Sequence, residues 1–261
     1  MVAAAAQVRT LAMPSLAHPL LRLALAPVFL AQGLAVRRRA TRLPEAEGPR
    51  AGRAGRGPLL RLLVVGDSSA AGVGVAHQEG ALAGRLCAAL SDDFTVQWQL
   101  RARIGATTES TLDSLRQLDA VPFDAAVVAL GVNDVARQVP LRRWLARQQE
   151  LVELLHTRFG IRRAYLSGVP PMGRFPLLPQ PLRAMLGARA AAFDEALAGF
   201  ARGQPRLRHL PFDAAALDPA LMAPDGFHPG PEIYRLWAAH LADAIRADFA
   251  PAGTRGRDAR P

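Results

Sequence analysis

The 261-residue chain lacks several features by which classes of protein are recognised. It contains no lysine, so every strongly basic side chain is an arginine. Its single cysteine, Cys87, excludes an internal disulfide bond and lies in an apolar-periodic stretch, which predicts a buried thiol. There is no cysteine and histidine spacing typical of zinc sites and no phosphate-binding P-loop. We therefore expect neither a metal nor a cofactor.

A hydrophobic run long enough to span a membrane is also missing. The longest uncharged run near the N-terminus, residues 23 to 36, is shorter than the ~20 residues that a spanning helix needs. Arginines at 37 to 39 follow it directly and oppose export. For residues 11 to 36 a membrane anchor, a cleaved signal and an interfacial or packed helix all stay open. The favoured location is cytoplasmic or membrane-associated, and export stays open.

The net charge of +10 is concentrated in two stretches rich in arginine, glycine and alanine. Residues 36 to 58 and the C-terminal GTRGRDARP have the composition of solvated linkers and tails. Such basic arms attract anionic lipid headgroups, but without interleaved aromatic residues they do not indicate specific nucleic-acid binding. We expect an apolar segment and basic linker at 1–58, dispensable for catalysis and a candidate for peripheral membrane contact. A single domain at 59–249 and a disordered basic tail at 250–261 would follow.

From Pro58 onward, short apolar runs alternate with longer helical patterns, which is typical of a parallel sheet covered by helices. Strands are predicted at 60–66, 94–102, 124–131, 162–168 and 206–212. Helices are predicted at 77–91, 108–118, 141–158, 181–202 and 231–248. The expected fold is a three-layer α/β/α domain with a mainly parallel, flavodoxin-like sheet of five strands.

Polar residues and glycines follow the first three predicted strands. The stretch LRLLVVGDSSAAGVGVA, residues 60 to 76, runs from an apolar strand into Gly66, Asp67 and Ser68. Gly105 follows the second strand and Asn133 follows the third. Ligands of open α/β sheets bind beyond the carboxyl ends of the strands. The sequence therefore predicts a site at this edge of the sheet.

A serine hydroxyl becomes an effective nucleophile only when a base removes its proton, so Ser68 requires an oriented histidine. Among the six histidines, only His228 lies in a turn-rich loop, APDGFHPGPE. Asp225 precedes it by three residues, a separation across a turn that lets the carboxylate orient the imidazole. Asp67 is predicted to hold its own turn. The plainer alternative is that these residues only cap helices and turns.

Three motifs in this order resemble those of the SGNH, or GDSL-type, hydrolase superfamily: GDS at 66–68, GVND at 131–134 and DGFH at 225–228. The resemblance covers roughly residues 59 to 248. It implies that Ser68 is the nucleophile, His228 the base and then the acid, and Asp225 its partner. It also implies an oxyanion hole formed by the Ser68 and Gly105 backbone N–H groups and the Asn133 side-chain amide. Ser69 stands where the family has its name-giving leucine.

The expected function is hydrolysis of an ester or thioester through an acyl-enzyme intermediate. An acyltransferase that uses the same intermediate and a noncatalytic flavodoxin-like binding module are the alternatives. The expected substrate is a small-molecule, lipid or acylated-sugar ester, and the sequence predicts neither its acyl-chain length nor the oligomeric state. Residues 170 to 181, PPMGRFPLLPQP, either pack on the domain or line an acyl pocket.

Overall fold

The structure is a computed structural model that describes residues 23–212 and 218–249. Its strands are β1 (Ala51–Ala54), β2 (Leu59–Gly66), β3 (Thr95–Ala102), β4 (Ala125–Ala129), β5 (Arg163–Ser167) and β6 (Leu207–Leu210). Its α-helices are α1 (Ala26–Arg39), α2 (Leu82–Leu90), α3 (Thr108–Arg116), α4 (Val132–Ala136), α5 (Leu141–Phe159), α6 (Leu182–Ala201) and α7 (Pro231–Phe249). The start of the apolar N-terminal segment and the predicted tail at 250–261 lie outside the described residues.

The strands form one sheet in the order β1-β3-β2-β4-β5-β6. All neighbouring pairs are parallel except β1 and β3. Counted without β1, the parallel strands have the flavodoxin order 2-1-3-4-5. The predicted three-layer α/β/α fold with a mainly parallel sheet is therefore confirmed.

The apolar sequence of β2 explains its central place in the sheet. Successive side chains of a strand point to opposite faces, and a parallel strand covered on both faces is apolar throughout. Leu63 and Val65 pack into a core that includes side chains of α3, α5 and α6. Leu62 and Val64 pack into a second core with side chains of α2 and α7. The helices thus cover both faces of the sheet.

The predicted count of five strands is wrong, because β1 adds a sixth strand at the edge. Residues Ala51–Ala54 were predicted to be part of a solvated linker, but they pair antiparallel with β3. All four β1 residues are exposed, so the strand has no apolar face that a sequence pattern could reveal. β1 is held in place by backbone hydrogen bonds to β3. Sequence composition does not encode such bonds.

The other predicted strands and helices agree with the structure apart from their boundaries, and the short helix α4 was not predicted. The helix predicted at 77–91 is divided into a 3₁₀ turn, Gln78–Gly80, and α2. Cys87 is buried as predicted, and burial raises the pKa of its thiol to about 12. None of the helices in the described ranges, α1 included, is long and apolar enough to cross a membrane.

Strand order determines where a site can form. The order of the parallel strands reverses between β2 and β4, and open α/β sheets bind ligands outside the carboxyl ends of the strands at such a point. Ser68 follows β2 by two residues, and Asn133 follows β4 by four. The topology therefore brings two of the motifs to the same crevice.

Candidate active site

The loop after β2 holds Ser68 in a tightly bonded turn. One carboxylate oxygen of Asp67, Oδ1, accepts hydrogen bonds from the backbone N–H and the hydroxyl of Ser69, at 3.0 and 2.7 Å. The hydroxyl of Tyr234, from α7, donates to the carbonyl oxygens of Ser69 and Val73, at 2.8 and 2.7 Å. Asp67 thus holds its turn, as predicted. The turn presents the Ser68 hydroxyl at the carboxyl end of the sheet.

The loop before α7 brings an aspartate and a histidine to this hydroxyl. Asp225 Oδ1 accepts hydrogen bonds from the backbone N–H groups of Phe227 and His228, both at 3.0 Å. Its other oxygen, Oδ2, lies 2.5 Å from His228 Nδ1, and His228 Nε2 lies 2.9 Å from Ser68 Oγ. The aspartate therefore fixes both the turn and the ring, and the three predicted residues form one continuous chain of hydrogen bonds.

The charge state of Asp225 matches this arrangement. Burial raises its pKa, but the hydrogen bonds from the His228 ring and from the His228 and Phe227 backbone together outweigh burial and leave the pKa below its ordinary value. An ionised carboxylate favours a proton on Nδ1 of the imidazole. The lone pair of Nε2 then faces the serine hydroxyl, as a general base requires.

Asn133 is oriented by contacts to the neighbours of the other two predicted oxyanion donors. Its side-chain Nδ2 donates to the carbonyl oxygen of Ala106 at 3.0 Å and to Asp67 Oδ2 at 3.3 Å. Ala106 follows Gly105 in the chain, and Asp67 precedes Ser68. These contacts bring the Asn133 amide next to the backbone of both residues.

Gly105 lies in the loop after β3, with a φ of +74° that favours glycine. Its carbonyl oxygen accepts a hydrogen bond from Arg137 at 3.0 Å, which ties this loop to the end of α4. Among the described residues, no acceptor engages the backbone N–H of Gly105 or that of Ser68. Both groups are therefore available as donors.

A buried polar network that sequence reasoning missed supports the same loop. Asp134 Oδ2 accepts hydrogen bonds from the backbone N–H and the hydroxyl of Thr108, both at 3.1 Å. The Thr108 hydroxyl oxygen also accepts from Trp144 at 3.1 Å and Gln148 at 2.9 Å. Burial raises the pKa of Asp134 to about 6. The partners lie on three separate helices, and the only signal for this network in the sequence is Asp134 itself, the last residue of the motif GVND.

A small, mainly apolar cavity adjoins Ser68 and His228. Its volume is about 40 Å³, and Phe175, Met222 and Trp237 are among its walls. The Phe227 ring meets the His228 ring at a centroid distance of 5.2 Å and also contacts the Phe175 ring edge to face. These aromatic contacts limit the movement of the imidazole.

The region of the chain that contains this geometry matches the model of a known protein family. The model of the family described as "GDSL-like Lipase/Acylhydrolase family" matches residues 64–236 and so includes all three motifs. The chain belongs to this GDSL-like family. The predicted superfamily resemblance is therefore confirmed, and the protein is a hydrolase that acts on ester bonds.

Solved structures of a lipolytic protein, a lipase and an esterase share the fold. A lipolytic protein of the G-D-S-L family from Veillonella parvula is 15% identical, with a TM-score of 0.58 over 71% of this chain and 98% of the other. The lipase Lip_vut3 from a goat rumen metagenome is 16% identical, with a TM-score of 0.57 over 71% and 97%. The esterase EstA from Pseudoalteromonas sp. is 19% identical, with a TM-score of 0.51 over 72% and 97%. At these identities the likeness shows the fold alone.

Curated proteins searched by sequence gave no match. Within 23–212 and 218–249, no group of three or more histidine, cysteine and acidic side chains is placed to hold a metal ion. GDSL-like membership supports small-molecule esters as substrates.

Proposed function

We propose that the protein hydrolyses carboxylic esters through a covalent acyl-serine intermediate on Ser68. In the first half-reaction, Ser68 Oγ forms a bond to the ester carbonyl carbon while His228 Nε2 takes the hydroxyl proton. The bond between carbonyl carbon and alcohol oxygen then breaks, and His228 gives its proton to the departing alcohol. Asp225 keeps the imidazole in its orientation and stabilises its positive charge.

The second half-reaction repeats these steps with water. His228 takes a proton from water as its oxygen attacks the acyl carbon, and the proton returns to Ser68 when the acyl bond breaks. In both half-reactions the carbonyl oxygen becomes an anion. The donors proposed to stabilise it are the backbone N–H groups of Ser68 and Gly105 and the Asn133 amide, which exchanges its 3.3 Å contact with Asp67 for the anion.

One observation carries this proposal: a continuous relay joins Asp225 Oδ2, the imidazole of His228 and Ser68 Oγ at 2.5 and 2.9 Å. Helix-capping residues alone would not require both ring nitrogens to be engaged in this way. The second support is the position of Asn133, which is fixed by contacts to residues adjoining Ser68 and Gly105.

Substitution of the nucleophile tests the proposal. Ser68→Ala removes the attacking oxygen, so hydrolysis of nitrophenyl acetate should fall by roughly a thousandfold or more while the melting temperature changes little. A fluorophosphonate probe should add to the wild-type chain, as measured by intact mass, and should not add to Ser68→Ala.

The matched control is Ser91→Ala, because the Ser91 hydroxyl donates only to the carbonyl oxygen of Ala88, away from the site. It should retain wild-type turnover and labelling. If Ser68→Ala kept a substantial rate, or if the probe labelled another residue, Ser68 would not be the nucleophile.

A further inference from the structure

A groove far larger than the cavity beside Ser68 lies under helix α1. It has a volume of about 650 Å³, within the range of small-molecule sites. Phe29, Leu30 and Leu34 of α1 form its outer wall, and Met185 and Leu186 of α6 face them. The family match begins only at residue 64, so α1 lies outside the part of the chain shared with the GDSL-like family.

Helix α1 is attached to the domain at defined points, although none of its residues is fully buried. Phe29 and Val36 pack against the core that lies under α6. Gln32 donates to the carbonyl oxygen of Gln180 at 2.6 Å and accepts from the backbone N–H of Leu182 at 3.1 Å. These bonds fix α1 over the beginning of α6, and side chains of both helices line the groove.

The groove shares lining residues with the candidate active site. Asn133, a proposed oxyanion donor, lines the groove, and Phe227 lines both the groove and the small cavity beside Ser68 and His228. An ester carbonyl placed at Ser68 with its oxygen toward Asn133 therefore lies beside the groove. The cavity at Ser68, with a volume of about 40 Å³, is much smaller than the groove.

The geometry of acyl transfer decides which part of the ester faces the groove. The departing alcohol must receive its proton from His228 Nε2 and so lies on the imidazole side. In this arrangement the acyl substituent points away from the leaving group, and the groove beside Asn133 is the space that can receive it. Most of the lining side chains are apolar, and α1 follows the groove from Ala26 to Arg37, ~16 Å at the rise of an α-helix.

We propose that this groove binds the acyl chain of the substrate, with α1 as its outer wall, and that the preferred substrates are esters of medium- or long-chain fatty acids. This inference rests on the proposed function and names its substrate class. It also gives a role to the segment 170–181, because Met172 and Leu178 line the groove while they pack in the core.

Gly33 offers a direct test, because it lines the groove and a Cβ added there meets no atom within 4 Å. Gly33→Phe should place a ring in the groove from a Cβ that has open space, and it does not reduce helix propensity. We expect kcat/KM to fall roughly tenfold or more for nitrophenyl octanoate and palmitate and to stay unchanged for nitrophenyl acetate.

Gly199→Phe is the matched control, since Gly199 is also a helical glycine with open space at its Cβ but lies outside the groove. It should keep the wild-type profile for all three esters. A uniform loss across chain lengths in Gly33→Phe, or no loss at all, would overturn the acyl groove.

Two further outcomes separate this inference from the proposed function. If Gly33→Phe instead impaired hydrolysis of long-chain alkyl acetates and spared nitrophenyl octanoate, the groove would hold the alcohol and the acyl assignment would be wrong. If the wild-type protein hydrolysed none of these esters, acetate included, the proposed function itself would fail.

Discussion

At the scale of single residues, the candidate site depends on buried carboxylates on either side of Asn133. Asp67 is fully buried, and burial raises its pKa against the hydrogen bonds from Ser69 that lower it. Its second oxygen accepts from the Asn133 amide. Asp134, which follows Asn133 in the chain, accepts hydrogen bonds from the backbone N–H and the hydroxyl of Thr108. Both carboxylates thus hold the backbone around the proposed oxyanion donors.

The charge of Asp134 should make folding stability depend on pH. Its folded pKa of about 6 exceeds the ordinary 3.8, so the folded protein holds this proton more tightly than the unfolded chain. Stability should therefore fall as pH rises through this window, by roughly 2 to 3 kcal/mol for a shift of this size. Asp134→Asn keeps an acceptor for Thr108 and removes the charge, so it should be more stable than the wild type at pH 7.

Urea unfolding of both proteins across the range from pH 4 to pH 8 checks this expectation. The difference in unfolding free energy should grow with pH up to about 6 and then become constant. Asp92→Asn, at an exposed position, is the control and should show no such growth. A pH-independent difference for Asp134→Asn would show that burial of its charge is not the cause.

The residues that sequence reasoning found lie within short motifs. Asp225 and His228 share one turn, and Ser68 follows an apolar strand, so spacing alone suggests their roles. The contact of Asn133 with Asp67 joins residues 66 positions apart, and only the adjacency of β2 and β4 creates it. Gly105 could be predicted only by its place after β3.

At the scale of elements, buried strands were predicted well and the exposed one was not. Strands β2, β4 and β5 have apolar runs because helices cover both of their faces. In β3 polar residues alternate with the buried Val96, Trp98 and Leu100, which is also a strand pattern. β1 has no apolar run. The segment before it contains one buried side chain, Ala46. Glu45 bonds to Arg50 at 2.7 Å and to the backbone N–H of Ile104 at 2.8 Å. The segment before β1 therefore supports the loop that contains Gly105.

Two truncations should separate the parts of the N-terminal region. We propose that deletion of residues 1–40 removes α1 and leaves melting temperature and acetate hydrolysis close to wild type, because Glu45, Ala46 and β1 remain. Deletion of residues 1–57 removes these contacts as well and should lower the melting temperature by several degrees and reduce turnover. Thermal unfolding and nitrophenyl acetate assays of both proteins measure the difference.

If both truncations were as stable as the wild type, the expectation that everything before Leu59 is dispensable would be supported. A large loss of stability in the shorter deletion would show instead that α1 belongs to the folded core. The first result would make β1 an accessory edge strand, and the second would make Phe29 and Val36 essential packing residues.

At the scale of the whole molecule, α1 combines exposed apolar and basic groups beside the groove. Leu30 and Leu34 line the groove and are 66% and 46% exposed. Arginines 37 to 39 follow at the end of the helix, and the whole chain carries a net charge of +10. Sequence composition predicted this combination, but only the fold shows that its apolar side opens toward the proposed acyl groove.

This arrangement predicts that the protein binds anionic lipid surfaces. Weak apolar insertion and electrostatic attraction act together at such surfaces, the latter worth about 1 kcal/mol per basic residue. We expect the full-length protein to float with vesicles that contain phosphatidylserine, to float less with phosphatidylcholine alone, and to dissociate at high salt. Flotation assays at low and high salt measure this association.

Charge reversal near the groove provides the sharper test. A double variant, Arg38→Glu with Arg39→Glu, should lower vesicle partitioning by roughly tenfold or more, since two attractive charges become repulsive. Arg202→Glu with Arg206→Glu changes the net charge equally at exposed positions outside α1 and should bind nearly as well as the wild type. If both double variants lost binding equally, attraction would follow the total charge, and α1 would not be the contact surface.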